Sequence, residues 1–418
     1  MTQADTSRHD DSRAAQAQTA SHAPRDNRWP AVVAVGLATF GVVTTEMLPV
    51  GLLTPIAQGL QVSAGSAGLM LSAPALLAAL FAPLIVVGAG SIDRRHLLAA
   101  LLLALAGANV LCALAPTLPW LLAARVVVGF CIGGIWAVAG GLAPRLVAAP
   151  SVGWATAIIF GGVSVASVVG VPLGAWLGEL VGWRAAFGAM AICSGLIFVL
   201  NVATLPPLPA AARGSRQGLR AQFGNRGVRL GLTVTFFLVA GHFMAYTFVR
   251  PLLQQVSGFG AGWIGVLLFG YGVAGMIANF AAGPLAGRHP GRALLAVALA
   301  LSTTLLLFAA LGGTMAGGAV LLLCWGLSYG AVSVSVQSWM LRAADGLDGI
   351  EAATALLVSV FNLGIALGSF FGGIAVDAAG LHATLLIAGA LTLAALVTSL
   401  RMQRAPAAAS AGLAQCRP

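Results

Sequence analysis

Runs of about twenty apolar residues recur from Trp29 to Leu400, and they constrain this chain more than any other feature. A helix rising 1.5 Å per residue needs roughly that many apolar residues to cross a ~30 Å hydrocarbon core. Inside lipid every backbone N–H and C=O must be satisfied by the protein, which leaves helix bundles and closed barrels. Barrel strands alternate apolar and polar residues over about ten positions. The run from Leu97 to Leu114 does not alternate, so the spans are read as helices. Charge agrees: 8% of residues are charged, against about 25% in a soluble domain.

The runs predict an all-α membrane protein with twelve transmembrane helices, near 30–53, 66–89, 96–115, 119–143, 154–178, 185–205, 229–253, 261–286, 293–312, 317–341, 351–376 and 381–401. Residues 1–28 are polar and rich in Ala, Ser, Asp and Arg, the composition of a disordered tail. Six-helix halves are expected at 29–205 and 229–402, joined by a linker at 206–228 and followed by a tail at 403–418. Span one is expected to act as its own targeting signal, because the tail lacks a signal-peptide core.

A formal net charge of +10 invites a nucleic-acid partner, but the distribution argues otherwise. All 21 basic residues are Arg, and with the N-terminus inside, 18 of them fall on inner segments. Arg184 and Arg250 sit at outer ends, and Arg125 lies within a span. This is the positive-inside pattern, predicting a multi-pass protein of the cell (inner) membrane with both termini cytoplasmic. The five-Arg segment from Arg213 to Arg229 reads as a solvated linker, with contact to anionic lipid as the alternative. The five cysteines, Cys112, Cys131, Cys193, Cys324 and Cys416, show no ligand spacing, and no metal or other cofactor is expected.

The chain also repeats itself. "VVGVPLGAWLGELVGWRAAF" in span five aligns with "ALGSFFGGIAVDAAGLHATL" in span eleven at an offset of 198, matching Gly170 to Gly368, Gly174 to Gly372, Glu179 to Asp377 and Gly182 to Gly380. "GAGSIDRRHLLA" after span two echoes "LAGRHPGRALLA" after span eight at an offset of 197. Parallel duplication of a six-helix half is a transporter architecture, with binding near the midplane between the halves.

On these residues the chain resembles the major facilitator superfamily, specifically its proton-coupled drug antiporter branch, which includes bacterial sugar and purine exporters. The likeness runs through "TTEMLPVGLLTPIAQ", "RVVVGFCIGGIWAV", "GGVSVASVVGVPLGAWLGELVGWRAAF", "YTFVRPLLQQVSGFG" and "NLGIALGSFFGGIAVDAAGL". The pairing of "LGELVGWR" with "WGLS" is most similar to purine ribonucleoside exporters. The resemblance implies alternating access around a cavity lined by spans one, four, seven and ten. "GVSVASVVGVPLGAWLG" resembles the antiporter motif of span five, where Gly170 and Gly174 permit close helix approach and Pro172 bends the helix. "GSIDRR" resembles the loop motif between spans two and three, so Asp93, Arg94 and Arg95 are candidates to lock one conformation. The second copy has Pro290 where the acid would stand, so the latch is expected to be lopsided.

Of eleven acidic residues, Glu46 is the only one well inside a span, and Arg125 is the only basic one. Intramembrane ionisable side chains face the bundle interior and take partners. Counted along their spans, both lie roughly 9–10 Å from the outer surface, so the two are expected to meet or alternate partners. Burial favours the neutral acid and a cation favours the carboxylate. A group pulled both ways can load and release a proton. Glu46, Arg125 and His242 are therefore the proton-coupling candidates. Arg125 held by backbone carbonyls, and Glu46 either snorkelling outward or capping the backbone broken by Pro49, are the structural alternatives.

His242, Tyr246 and Arg250 recur at i, i+4 and i+8 on span seven. With Trp136, Gln337 and Asn362 they supply the ring faces and donors that a small organic substrate requires; Trp136, Tyr246, Arg250, Gln337 and Asn362 are the substrate-binding candidates. The expected activity is export of purine-like or drug-like molecules driven by proton antiport. Sugar export, proton-coupled uptake and a transport-inactive receptor are the alternatives. The expected partners are a small-molecule substrate, protons and the lipid bilayer, with no nucleic acid, and the protein is expected to be a monomer. No HExxH, GxSxG or GxxxxGK[ST] motif points to an enzyme or an ATP-driven pump.

Overall fold

A computed structural model describes residues 27–88, 92–139, 141–209, 221–344 and 346–404. Most of both predicted tails and the middle of the linker, with Arg213, Arg216 and Arg220, lie outside the described residues. Eleven helices among the described residues are long and apolar enough to cross a membrane. The last of them, within Gly346–Arg404, is two spans broken at Gly380, which makes twelve crossings in two six-helix halves.

Span one is Trp29–Leu60, two is Ala64–Gly88, three Arg94–Ala113, four Leu118–Ala139, five Val152–Val181 and six Trp183–Thr204. Span seven begins as Arg226–Tyr246 and resumes through Val249–Pro251 and a π-helical turn, Leu252–Val256. Spans eight and nine are Ile264–Arg288 and Pro290–Leu311. Span ten is interrupted between Met315–Gly330 and Val332–Ala343. The first half is cored by residues such as Val35, Leu102, Ile132 and Ile197. Leu238, Phe243, Leu301, Trp325 and Leu385 do the same in the second.

The repeat read in the sequence is a repeat of packing. In span five, Gly162, Gly170, Gly174 and Gly178 face Thr39, Thr44, Leu48 and Leu52 of span one with no room for a methyl group. In span eleven, Gly364, Gly368 and Gly372 face Val239, Ala240 and Met244 of span seven in the same way. Small residues let these helices approach to backbone distance. Both spans then turn on a glycine of positive φ: Gly182 (φ 97°) and Gly380 (φ 82°). That conformation is open to glycine and strained for other residues.

Pro172 cannot donate a backbone hydrogen bond, and the helix before it slips into a π-helical turn at Ala166–Gly170. Gly272 of span eight seats against the backbone of Ser167 and Val168 there. The bend expected of span five is thus a register shift placed where the two halves touch.

Span one runs seven residues further than its predicted end at 53, passing through Pro49 and Pro55 to a left-handed cap at Gln61. Glu46 consequently lies fourteen residues from the end of its helix, roughly 21 Å, rather than near one surface. It sits close to the midpoint of the helix.

Candidate functional site

Three prolines explain where the buried arginines go. A proline in a helix leaves the carbonyl four residues earlier without its N–H partner. Pro49 orphans Thr45, Pro55 orphans Gly51 and Pro74 orphans Met70. Arg125, fully buried, donates from Nη1 to the Thr45 carbonyl at 2.7 Å and from Nε to the Met70 carbonyl at 2.9 Å. Its Nη2 donates to the main-chain oxygen of Glu46 at 2.9 Å. Arg250, also buried, donates from Nη1 to the Gly51 carbonyl at 2.6 Å. Two cations are therefore held by helix breaks, and span one continues through its prolines because arginines satisfy the freed oxygens.

Glu46 and Arg125 do meet, but through the backbone. The Glu46 side chain is 6% exposed, and its Oε1 has no hydrogen-bond partner among the described residues. All three Arg125 nitrogens are committed to main-chain oxygens instead.

The second half holds an aromatic stack. His242 is sandwiched between Tyr329, with ring centroids 3.3 Å apart, and Tyr246 at 4.7 Å. Tyr271 stacks on Tyr246 at 4.8 Å. Trp325 meets His242 edge-on and donates its Nε1–H to His242 Nδ1 at 2.9 Å. The chain has three tyrosines, and all three are here. The nitrogen of His242 that would accept a second proton is already taken by the indole, so this histidine is set as a neutral ring with its proton on Nε2. Sequence reading found His242 and Tyr246 but missed Tyr271, Tyr329 and Trp325. The available signal was the scarcity of tyrosine and the i, i+4 spacing of Trp325 and Tyr329.

Glu46 and His242 occupy equivalent places in the repeat. Gly170 packs on Thr44 and its counterpart Gly368 on Ala240; Gly174 packs on Leu48 and Gly372 on Met244. Ala240 lies 196 residues after Thr44 and Met244 lies 196 after Leu48, as His242 lies 196 after Glu46. One ancestral position carries a carboxyl in the first half and an imidazole in the second.

The remaining candidates are dispersed. Arg250 reaches out of span seven to the first half: besides Gly51 it pairs with Glu179 of span five at 2.6 Å. It is a link between halves at the face away from the termini, not part of the stack. Trp136 packs against Phe160 of span five, ring centroids 5.8 Å apart. Gln337 contacts Thr354 at 3.4 Å, and the Asn362 amide donates to the Val358 carbonyl one turn back in its own helix. Asp93 caps span three by accepting from the Arg95 N–H and also accepts from the Leu208 N–H. The Arg94 N–H donates to the Leu208 carbonyl, and Arg95 Nη2 to Val202. Asp93, Arg94 and Arg95 thus hold the end of span six and the start of the linker; Gly90 and Ser91 of the same motif lie outside the described residues.

The face away from the termini is closed by further contacts between halves. Thr54 donates to Gln254 at 3.0 Å. Asp377, at the end of span eleven, accepts from the Ser63 hydroxyl at 2.6 Å and the Gly65 N–H at 3.0 Å, where span two begins. Toward the termini, the same side of span one is freer. Val33, Leu37 and Phe40 line an apolar groove of about 320 Å³ with Ile158, Gly161 and Val165 of span five. Val33 and Leu37 share a helix face with Met47, Gly51 and Thr54, which touch the second half.

The family model described as Major Facilitator Superfamily matches residues 35–347. The chain belongs to that superfamily. It is 34% identical over 396 residues to the transcription regulatory protein OpdE of Pseudomonas aeruginosa, covering 94% of this chain and 98% of that one. It is 32% identical over 379 residues to the purine ribonucleoside efflux pump NepI of Salmonella typhimurium, covering 90% and 95%. Among solved structures, a bacterial homologue of the human lysosomal transporter Spinster, inward-facing and unoccupied, aligns with a TM-score of 0.74 at 16% identity, over 91% of this chain and 98% of that one. The human organic anion transporter MFSD10 aligns at 0.66 and 20% identity, over 90% and 100%. The superfamily is one of transporters, and no enzyme is implied.

Proposed function

We propose that this protein exports small organic molecules, of the purine nucleoside or drug-like kind, in exchange for protons by alternating access. The observation that carries the reading is Glu46: a carboxyl near the middle of span one, buried, with Oε1 unpartnered among the described residues. A carboxylate fixed for structural reasons would be expected to have its oxygens satisfied. One that binds and releases a proton or a ligand must keep an oxygen free. The stacked rings of the second half offer flat apolar faces to a heterocycle, and efflux of purine ribonucleosides is what the name of one relative describes. The arginine distribution supports cytoplasmic termini in the cell (inner) membrane, so the face sealed by Arg250 and Asp377 is the external one. The state described is then closed outside.

The test is Glu46→Gln in proteoliposomes loaded with radiolabelled inosine. Efflux driven by an imposed pH gradient should fall at least tenfold, while inosine exchange without a gradient persists. Undiminished gradient-driven efflux would remove Glu46 from the coupling. A thermal-shift panel of nucleosides, purine bases, sugars and lipophilic drugs fixes the substrate class, because stabilisation rises with occupancy of the folded state.

A second reading, a transport-inactive receptor, is favoured by the name of the Pseudomonas relative. It predicts stabilisation by a ligand of the panel with no flux of that ligand in the same vesicles.

A further inference from the structure

The stacked rings of the second half form a column with one closed end and one open end. In order they are Tyr271, Tyr246, His242 and Tyr329, with centroids 4.8, 4.7 and 3.3 Å apart and interplanar angles of 27°, 23° and 8°. At the Tyr271 end Trp325 stands edge-on, 6.4 Å away at 90°. Phe243 flanks the column edge-on, nearer to His242 at 4.8 Å than to Tyr329 at 6.1 Å. Among the described residues no ring stacks on the face of Tyr329 turned away from His242. Tyr329 is half-buried, whereas His242, Tyr246 and Tyr271 are buried.

The open end does not point to lipid. Val320 and Leu327 are exposed apolar residues that mark the lipid side of span ten. At about 100° per residue, Tyr329 lies about 180° around the helix from Val320 and about 200° from Leu327. Depth agrees with a site between the halves. Tyr329 is fourteen residues from each end of 315–343, and His242 is one residue from the middle of 226–256. Substrate sites in duplicated transporters lie near the midplane where the repeats meet. The column is also held firmly. Gly326 of span ten seats against the Tyr271 carbonyl with no room for a methyl group, and the Trp325 N–H fixes the His242 ring through Nδ1.

We infer that the open face of Tyr329 is the seat of a planar nitrogen heterocycle, which extends the column as its fifth ring. A flat ring laid parallel to Tyr329 covers the whole face; a sugar or an aliphatic chain has no plane to match it. The phenol face is electron-rich, and its quadrupole favours a ring whose density is drawn off by nitrogens and carbonyls, as in a purine base. Stacking is tolerant of ring identity because every base has a π-face. The site therefore selects for flatness and admits several heterocycles. This names the substrate class of the proposed exporter and rests on that reading.

The experiment uses the scarcity of tyrosine. All three tyrosines of the chain lie in the column, so fluorotyrosine incorporated into the full-length protein in lipid nanodiscs reports on this site alone by fluorine NMR. Tyr329→Phe assigns the Tyr329 resonance; it keeps the ring and removes a hydroxyl that has no hydrogen-bond partner among the described residues. Inosine should shift the Tyr329 resonance most and saturably, and ribose should not shift it. Tyr329→Leu should weaken inosine binding by about tenfold or more, the order that stacking a base on an aromatic side chain contributes, while Tyr329→Phe stays within about threefold of the parent. The parent spectrum decides even where Tyr329→Leu does not fold. Equal shifts of all three resonances, a larger shift at Tyr271, or the same response to ribose overturns the platform. Inosine that is exported under a pH gradient without moving the Tyr329 resonance overturns the platform and leaves the export reading standing. Inosine that neither moves the resonance nor is exported removes the purine class from both.

Discussion

At the scale of single residues, the buried arginines divide stabilising work from transport. Arg125 supplies donors that Pro49 and Pro74 took away. Replacing it with Met fills the space but leaves the Thr45 and Met70 carbonyls buried and unpaired, at about 1–3 kcal/mol each. Arg125→Met should therefore lower the unfolding temperature in detergent substantially. The mechanism can be isolated, because Pro49→Ala restores an N–H to Thr45. In that background Arg125→Met should destabilise less than in the native chain, a coupling of 0.5 kcal/mol or more in a double-mutant cycle. Equal losses in both backgrounds would show that Arg125 does not act through the Pro49 break. Glu46 and Arg125 were legible in the sequence as the two charges stranded in apolar spans. Their relation was not. The depth argument brought them to one level, but only the prolines, visible in the sequence all along, say that the arginine goes to the backbone. Arg250 was misjudged for the same reason: its spacing from His242 and Tyr246 suggested a shared substrate face, whereas the Gly51 carbonyl freed by Pro55 and the Glu179 carboxylate draw it across to the first half.

At the scale of elements, the glycine repeat was legible as spacing, and the structure adds which neighbour each glycine faces. That decides the consequence of filling it. A methyl on Gly174 would meet the tip of the Leu48 side chain, which can rotate away. A methyl on its counterpart Gly368 would meet the backbone of Ala240, which cannot. Overpacking a rigid contact costs about 1–3 kcal/mol. Gly368→Ala should therefore destabilise markedly and Gly174→Ala by clearly less, as read from thermal unfolding of the two purified variants. The reverse order would mean that spans five and eleven do not pack as the repeat places them. Breaks in the spans were less legible. Pro172 announced a bend in span five, and Pro251, four residues after Thr247, marks the interruption at Thr247–Phe248 by the same rule, whereas the interruption at Ala331 carries no proline and coincides with the approach of Gly330 to the Gly275 backbone.

At the scale of the whole molecule, the repeat places one carboxylate at the same point of each half, and each reaches into the other half. Glu179 ends span five and holds Arg250 of span seven; Asp377, 198 residues later, ends span eleven and holds Ser63 and Gly65 at the start of span two. Opening the face away from the termini requires both links to break and exposes the Gly51 carbonyl that Arg250 covers. Closure is therefore held by two carboxylates acting in parallel, and removing one charge leaves the other link in place. A population shifts only by the free energy that differs between its states. Glu179→Gln or Asp377→Asn alone should open that face modestly, and the double variant should open it more than either. The measurement is a spin-label distance between positions 181 and 263, exposed ends of spans five and eight on opposite halves, in a chain with its native cysteines replaced. The longer-distance population should grow from the parent through the single variants to the double. If the double variant keeps the parent distribution, the closure is held by apolar packing between spans five and eight, where Gly272 meets Ser167 and Val168, and the carboxylates only decorate it.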